Sequence, residues 1–490
     1  MNYGSEEDYE VLRKWNISVS GKIVLVKQLE MSVSEQVHLA EEAGAAALLV
    51  YPDPVVHKIP GDAVRHESLL WNGMGDPQTP GYPSTDYAFR IPIDDLKTLP
   101  KIPTQPISMT TALQILVLLS GHRTPEKWLP HSNTSFDYRI GPGFIDPSYQ
   151  LRVKVNNKLE PRTIQNVIGT IRGRSEPDRY VLIGNHRDSF TSGAMDSAAG
   201  AAALLQLVTL FSSLLSDGWR PRRSIMFCSF GAEEFNLIGS TEWLEENMRM
   251  IQSKAVAYIS SDILVIGNET ISVAASPLLY QTVFNATQTV PYPHLGPSSS
   301  FRSVYDKWLA TFPAIRNRSH LLFNDFLSKS DKETHLDYES DLELVKEATN
   351  GEKAQSGSIL MNYINSATTR VRPRIRPLDS KSVYSPFVSI AGVPAVEVTF
   401  VPGASESDSL TAFPLIHTQY DDFSLVKTFD KDFKTHAAVT NILAEIVRDL
   451  SDSLFLPFNL LDYCQLLTDL VGALQQHLAP DFAANGLSLG

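Results

Sequence analysis

Six residues whose side chains bind divalent metals or move protons follow apolar, strand-like segments of this 490-residue sequence. They are His186, Asp196, Glu233, Glu234, Asp262 and His417. In open α/β sheets, ligands bind outside the carboxyl ends of the strands, so residues that follow different strands gather at one rim. Two adjacent carboxylates such as Glu233 and Glu234 repel each other unless a cation lies between them. The sequence therefore predicts a divalent metal site at this rim.

The number and type of these side chains favour a two-metal hydrolase. Imidazole and carboxylate groups are ligands for zinc and similar divalent ions. Five ligands and one further carboxylate fit two metals that share a bridging carboxylate, an arrangement that serves hydrolysis. The alternative is an acidic rim without metal that belongs to a binding module.

Strand-like and helical patterns alternate along the middle of the chain and predict the sheet that would position these side chains. This alternation is typical of an α/β domain with a mostly parallel sheet. The predicted strands are residues 179–185, 223–230, 254–261 and 393–400, and the predicted helices are residues 198–215 and 236–251.

The two ends of the chain have different patterns. A capping box at Ser32–Glu35 opens a helix between two strand-like runs, so the first 60 residues predict a βαβ unit. Beyond a segment rich in proline and glycine, a helix is expected near residues 110–119, and a strand-like stretch reaches about residue 160. From about residue 431 the pattern is helical, with a break at Pro457.

Composition excludes several classes of protein. The formal net charge is −13, which disfavours nucleic-acid binding because phosphate contacts need clustered lysine and arginine. Two cysteines, Cys228 and Cys464, are too few for a disulfide scaffold, a zinc finger or an iron–sulfur site. No uninterrupted apolar run approaches the roughly twenty residues of a membrane span.

Five sequons fit the acceptor pattern for N-glycosylation. They predict an extracytoplasmic protein, either secreted or on the extracellular face of a membrane through an anchor outside this sequence. The sequons begin at Asn16, Asn133, Asn268, Asn285 and Asn317.

The motifs His186–Phe190, Asp196 and Gly231–Trp243 resemble the glutamate carboxypeptidase II / transferrin receptor family of co-catalytic zinc aminopeptidase-like peptidases, and in particular its N-acetylated-alpha-linked acidic dipeptidase-like members. The resemblance implies an α/β fold, with a mostly parallel-sheet zinc-peptidase domain and a protease-associated apical domain. We expect a truncated apical domain at 1–160, the peptidase domain at 161–454, and the start of a truncated helical dimerisation domain at 455–490. It also implies a homodimer of the full-length protein.

The resemblance gives each residue of the rim a role. One zinc would be bound by His186 and Asp262, the other by Glu234 and His417, and Asp196 would bridge both. Glu233 would be the general base, and Asp188 would orient His186. A structural calcium ion would be bound by Thr79, Tyr82, Glu242 and Glu245; the two glutamates are spaced i, i+3 and share one helix face.

Positions that bind acidic substrates in the glutamate-releasing members carry no cation here. They correspond to Val33, Glu67, Ser272, Glu397 and Thr399. A carboxypeptidase needs a cation for the free carboxylate, so the substitutions favour an aminopeptidase or dipeptidyl-peptidase acting on small peptides. The alternatives are a carboxypeptidase that releases C-terminal acidic residues and a non-catalytic, transferrin-receptor-like binding module.

Overall fold

A computed structural model of the chain describes residues 1–28, 31–53, 59–71, 73–128, 138–294, 301–315, 371–380, 382–403 and 415–484. Its strands are β1 Ile23–Gln28, β2 Ala47–Pro52, β3 Thr104–Pro106, β4 Val167–Ile171, β5 Glu176–His186, β6 Arg223–Phe230, β7 Ala255–Ser260, β8 Thr270–Ala275, β9 Pro313–Ile315, β10 Val371–Pro373 and β11 Ala395–Val401. Its helices are α1 Glu6–Lys14, α2 Val33–Glu42, α3 Met109–Leu116, α4 Gly200–Ser216, α5 Ile238–Glu246, α6 Met248–Lys254, α7 Tyr280–Thr289, α8 Val304–Thr311, α9 Ser385–Ser389, α10 Phe423–Phe429, α11 Lys434–Asp452 and α12 Leu460–Ala484.

A six-stranded sheet in the order β4-β6-β5-β7-β11-β8 organises the larger part of the molecule. The four central strands are parallel to one another, and β4 and β8 lie antiparallel at the two edges. Alternate residues of β5 enter different cores: Val181 and Ile183 pack in a cluster with α4 and α11, and Leu182 packs on the opposite face with Phe387. Because both faces are covered, the central parts of these strands are apolar, as in Tyr180–Ile183 of β5 and Ile225–Cys228 of β6. The predicted α/β fold with a mostly parallel sheet is confirmed.

The N-terminal part contains a separate three-stranded sheet in the order β1-β2-β3. Strands β1 and β2 are parallel and are joined by α2, as the predicted βαβ unit requires. The Ser32 side chain caps α2 and accepts a hydrogen bond from the Glu35 amide at 3.3 Å. The helix expected near residues 110–119 is α3, Met109–Leu116.

Two predictions of secondary structure were wrong. Residues 151–166 are all described and form no strand, since Leu151 and Val153 pack on the Leu49 cluster instead of pairing with a neighbour. The single helix predicted over 236–251 is divided into α5 and α6 at Asn247. The Asn247 side chain donates to the Trp243 carbonyl at 2.9 Å and competes there with the helical backbone. The sequence analysis also missed the edge strands β4 and β8.

One helical segment, Ala194–Ser216, is long and apolar enough by length and composition to cross a membrane, with a mean hydropathy of 1.8 in its most apolar window and 28% of that window buried. Gly200 and other small or polar residues interrupt the run, so it does not stand out as a continuous apolar stretch. In the structure Leu207 and Phe211 of this segment pack in the main core against the sheet. The buried side chains of this segment thus belong to the core of the protein.

Candidate metal centre

Three adjacent strands bring the predicted ligands to one rim of the sheet. Strand β5 ends at His186, β6 is followed by Glu233 and Glu234, and β7 is followed by Asp262. Because β6, β5 and β7 are neighbours and run parallel, their carboxyl ends meet at the same edge. The segment after β5 adds Asp196 at the entry to α4.

Five of the six side chains form two groups that share Asp196. The first group is centred on His186 Nε2, which lies 2.9 Å from Asp196 Oδ1 and 2.9 Å from Asp262 Oδ1. The second is centred on His417 Nε2, which lies 3.1 Å from Asp196 Oδ2 and 3.2 Å from Glu234 Oε2. Each oxygen of Asp196 thus belongs to a different group, as a bridging carboxylate requires.

These spacings fit zinc. Ligand atoms at about 2.0 Å from a tetrahedral ion lie about 3.3 Å from one another, close to the observed 2.9–3.2 Å. Glu234 Oε1 is buried and has no hydrogen-bond partner in the described part of the chain. Glu233 lies among the same ligand atoms, with His186 and Asp262. The residues present therefore fit a two-zinc centre.

Burial and charge perturb the titration of this cluster. Burial, reinforced by the neighbouring carboxylates, raises the pKa of Glu233 well above its usual range. Burial alone lowers the pKa of His186, but Glu233 and Asp262 outweigh it and the net shift is upward. Burial likewise opposes the positive charge on His417, yet Asp196 and Glu234 raise the pKa of His417 to about 10. Without metal, the raised pKa values keep protons on Glu233, His186 and His417. A bound divalent cation would balance the negative charge of the same carboxylates instead.

Asp188 touches the main chain of the paired glutamates. Its two oxygens accept hydrogen bonds from the amides of Glu233 at 3.0 Å and Glu234 at 3.1 Å. Its Oδ1 atom also lies 3.7 Å from His186 Nδ1. Burial raises the pKa of Asp188, but hydrogen bonds and the charge of His186 lower it overall. Asp188 therefore fixes the turn that carries Glu233 and lies beside the imidazole of His186, whose predicted orientation by Asp188 stays a prediction.

Three residues that support the centre were missed by the sequence analysis. Asp421 accepts hydrogen bonds from the amides of Met195 at 2.7 Å and Asp196 at 3.2 Å. Ser382 donates to Asp262 Oδ2 at 3.1 Å, and the carbonyl of His66 accepts from His417 Nδ1 at 3.1 Å. None of these contacts leaves a motif in the sequence, although Asp421 follows His417 in the same loop.

The predicted calcium ligands meet where α5 faces the loop of residues 75–84. Glu242 accepts hydrogen bonds from the amides of Asp76 and Ser84, both at 2.6 Å. Glu245 Oε2 is buried without a hydrogen-bond partner among the described residues, and Thr79 is 1% exposed. Burial, followed by the charge of Glu242, raises the pKa of Glu245 to about 7. An oxygen-lined site with one unused buried carboxylate oxygen fits a calcium ion.

The Tyr82 hydroxyl is already used, since it donates to the Phe89 carbonyl at 2.7 Å. The predicted ligand set is otherwise brought together around Glu242 and Glu245.

The structure changes the charge expected around Glu67. Its carboxylate accepts hydrogen bonds from Gln28 Nε2 at 2.7 Å and from the amide of Val33 at 3.2 Å. The guanidinium of Arg65, a residue that is 8% exposed, lies 3.6 Å from the same carboxylate. The predicted charge of this pocket included Val33 and Glu67 but not Arg65. Arg65 balances part of the negative charge of Glu67.

A second arginine lies beside the other specificity positions. Ser272 and Thr399 are paired across β8 and β11, and Ser272 Oγ accepts a hydrogen bond from Arg376 Nε at 2.8 Å. Burial, with the charges of Asp262 and Asp379, raises the pKa of Glu397 to about 8. This upward shift reduces the negative charge that Glu397 contributes near neutral pH in the absence of metal.

Three of the five sequons lie in described parts of the chain. Asn16 and Asn268 are exposed, and Asn285 is half-buried on α7. Asn133 and Asn317 lie outside the described residues.

Models of two protein families match two separate segments of the chain. The model of peptidase family M28 matches residues 166–302, and that of the PA domain matches residues 2–92. The chain is 33% identical to mouse (Mus musculus) aminopeptidase NAALADL1, over 100% of this chain and 61% of that protein. It is 30% identical to a glutamate carboxypeptidase 2 homolog from Caenorhabditis briggsae, over 94% of this chain and 55% of that protein. It is 32% identical to human (Homo sapiens) transferrin receptor protein 2, over 100% of this chain and 53% of that protein. The chain thus spans between 53% and 61% of the length of these relatives.

Proposed function

We propose that this chain, in which the model of peptidase family M28 matches residues 166–302 and that of the PA domain matches residues 2–92, is a two-zinc exopeptidase that hydrolyses small peptides. The observation that carries the proposal is the pair of ligand groups that share Asp196, each with one histidine and one further carboxylate. A binding module has no need for two such groups at one rim.

In this proposal His186, Asp262 and one oxygen of Asp196 hold the first zinc, and His417, Glu234 and the other oxygen of Asp196 hold the second. Bound zinc would act as a Lewis acid that activates water and polarises the scissile carbonyl. Ser382 and Asp421 keep Asp262 and Asp196 in place through the hydrogen bonds described above.

Glu233 is the proposed general base. It is 9% exposed, and the hydrogen bond from its amide to Asp188 fixes the turn that presents it. As a carbon–oxygen bond forms and the peptide carbon–nitrogen bond breaks, Glu233 accepts the proton of the attacking water and delivers it to the leaving amine. The carboxylate thus ends each cycle in the state in which it began.

We assign the enzyme to N-terminal cleavage, as an aminopeptidase or dipeptidyl-peptidase. Val33 provides no cation for a substrate carboxylate, and the aminopeptidase relative supports the same polarity. A carboxypeptidase that releases acidic residues is the second candidate, because Arg65 and Arg376 lie at the two specificity regions. The similarity to transferrin receptor protein 2 supports a third candidate, a non-catalytic receptor module.

Metal content and a matched pair of peptides test these assignments. Elemental analysis of the purified chain should give about two zinc ions, one for each ligand group, and a well-folded protein that binds no metal would exclude the enzyme. One peptide is then offered with a free N-terminal amine and with an acetylated one. Faster cleavage of the free form is expected; faster cleavage of the acetylated form would reverse the polarity in favour of a carboxypeptidase.

We further propose that one calcium ion joins α5 to the loop of residues 75–84, through Glu242, Glu245, Thr79 and Tyr82; because its hydroxyl is used, Tyr82 would offer its main-chain carbonyl. The exposed sequon residues Asn16 and Asn268 support a secreted protein or a position on the extracellular face of a membrane. A homodimer of the full-length protein remains a proposal from the family resemblance.

A further inference from the structure

The loop of residues 415–422, which carries His417, is held from two sides. On one side Asp421 binds the segment that contains Asp196, as described above. On the other side lies a strap, residues 62–66, which belongs to the part of the chain that matches the PA domain. The amide of His66 donates to the His417 carbonyl at 3.0 Å, and His417 Nδ1 donates to the His66 carbonyl at 3.1 Å.

Two side chains extend this contact. Gln419 Oε1 accepts a hydrogen bond from the amide of Val64 at 3.1 Å, and Gln419 Nε2 donates to the Asp62 carbonyl at 3.0 Å. The Tyr420 hydroxyl donates to Asp62 Oδ1 at 2.7 Å. Hydrogen bonds thus join the strap from Asp62 to His66 with residues 417–420 of the loop.

These hydrogen bonds hold His417 in a backbone conformation that is unfavourable for a histidine. His417 has a φ of 65°, in the left-handed region that residues other than glycine rarely adopt. Such a conformation persists only where the surrounding structure holds it. Since Nδ1 donates to a carbonyl, the imidazole is oriented with Nε2 towards Asp196 and Glu234, the arrangement that a metal-binding histidine needs.

His186 has no comparable dependence. It is the last residue of β5 and is 1% exposed, so the central sheet fixes it. The strap touches the second ligand group and not the first.

We infer that the 62–66 strap positions His417 through Gln419 and Tyr420, and that it thereby sets the metal affinity of the second ligand group while the first is set by the sheet. The inference rests on the proposed two-zinc centre. Gln419 and Tyr420 are positioning residues in this account, because they follow His417 by two and three residues and bind the strap, and among the described residues they form no hydrogen bond with a proposed ligand side chain. The apical part of the molecule would then take part in completing the centre of the peptidase part.

The test is a titration of metal-free protein with Co²⁺ alone, followed by visible absorption, on wild type and on Gln419→Ala and Tyr420→Phe. Loss of a residue that orients a metal-binding histidine typically weakens metal affinity by about 10- to 100-fold. We expect two binding steps in wild type. In each variant one step weakens by about tenfold or more and the other is unchanged.

Tyr292→Phe is the control for Tyr420→Phe, because it too deletes one tyrosine hydroxyl that donates a hydrogen bond, here to the Glu269 carbonyl at 2.8 Å, away from the strap and the loop. It should leave both steps as in wild type. Unchanged binding in both variants, or equal weakening of both steps, would overturn the inference. Wild-type protein that binds no Co²⁺ would instead overturn the proposed function. If Gln419→Ala fails to fold, Tyr420→Phe, which deletes one hydroxyl, decides the question.

Discussion

The two acidic clusters of this molecule are balanced in different ways. At the rim of the sheet, the oxygens of Asp196, Asp262 and Glu234 lie within 3.2 Å of a histidine nitrogen. On α5, by contrast, the hydrogen bonds of Glu242 come from the main-chain amides of Asp76 and Ser84. The first cluster mixes nitrogen and oxygen ligands, whereas the second offers oxygen alone.

This difference separates a centre suited to chemistry from one suited to joining parts of a chain. Mixed imidazole and carboxylate ligands favour zinc, which activates water, and oxygen ligands favour calcium, which does not. The rim cluster is also built mostly within one domain, while the α5 cluster connects Glu242 to Asp76, 166 residues away in the sequence. Activity and stability should therefore respond separately to changes in the two clusters.

The largest effect on the rim cluster is expected from Glu233→Gln. Removal of a general base lowers turnover by about 100- to 10,000-fold, and the zinc content should stay at the wild-type value because Glu233 is not a proposed ligand. Peptide turnover and elemental analysis measure the two quantities. Glu246→Gln, an exposed change at the end of α5, is the control, and wild-type turnover in Glu233→Gln would remove the base assignment.

The next pair of variants compares Asp196, which belongs to both ligand groups, with Asp262, which belongs to one. Asp196→Asn weakens both ligand groups, so bound zinc should fall below about one ion per chain, whereas Asp262→Asn should retain about one. Equilibrium dialysis followed by elemental analysis counts the ions. Equal loss in the two variants would contradict the bridging role of Asp196.

Changes in the α5 cluster, which consists of Glu242, Glu245 and the loop of residues 75–84, should alter the melting temperature and leave the zinc content unchanged. A ligand at 100 times its dissociation constant stabilises a protein by about 2.7 kcal/mol, so calcium should raise the melting temperature of wild type by a few degrees. Glu245→Gln should abolish this rise with the zinc content unaltered, and Glu246→Gln should keep it. A calcium response that survives in Glu245→Gln would show that the ion binds elsewhere.

The smallest effect concerns Glu397, at the edge of the rim cluster. Burial and the charges of Asp262 and Asp379 raise the pKa of Glu397 to about 8, whereas an unfolded glutamate titrates near about 4.3. Between these values the native state holds a proton that the unfolded chain has released, so stability falls as pH rises. Glu397→Gln removes this loss.

In zinc-free protein the melting temperature of Glu397→Gln, relative to wild type, should increase from pH 5 to pH 8. Thermal melts across this range measure it, with Glu246→Gln as the reference. A difference that stays constant with pH would mean that Glu397 is ionised in the native state.

The sequence predicted those features that leave a periodic or local pattern. Strands β5, β6, β7 and β11 are apolar runs, and the polar residues that follow β5, β6 and β7 reach one rim because parallel strands end at the same edge. The break at Asn247 was missed because it depends on one side chain competing with the helix backbone. The edge strand β4 was missed because its pairing partner, rather than its own pattern, makes it a strand.

The supporting contacts of the site could not be predicted for a different reason. Ser382 reaches Asp262 across 120 residues, and Asp421 reaches Asp196 across 225 residues. Arg65 and Arg376 likewise enter the specificity regions from segments that the compared positions do not include. Such contacts follow from the paths of loops in space, and neither spacing nor hydrophobic periodicity records them.

The position of His417 late in the chain has a consequence for biosynthesis. Its side chain contacts Asp196 across 221 residues and His66 across 351 residues. Domains fold as the ribosome delivers them, from the N-terminus onwards, so the strap and the Asp196 segment must wait for residues 415–422 to emerge. A nascent chain therefore lacks the second ligand group until residues 415–422 have been made, 219 residues or more after Asp196.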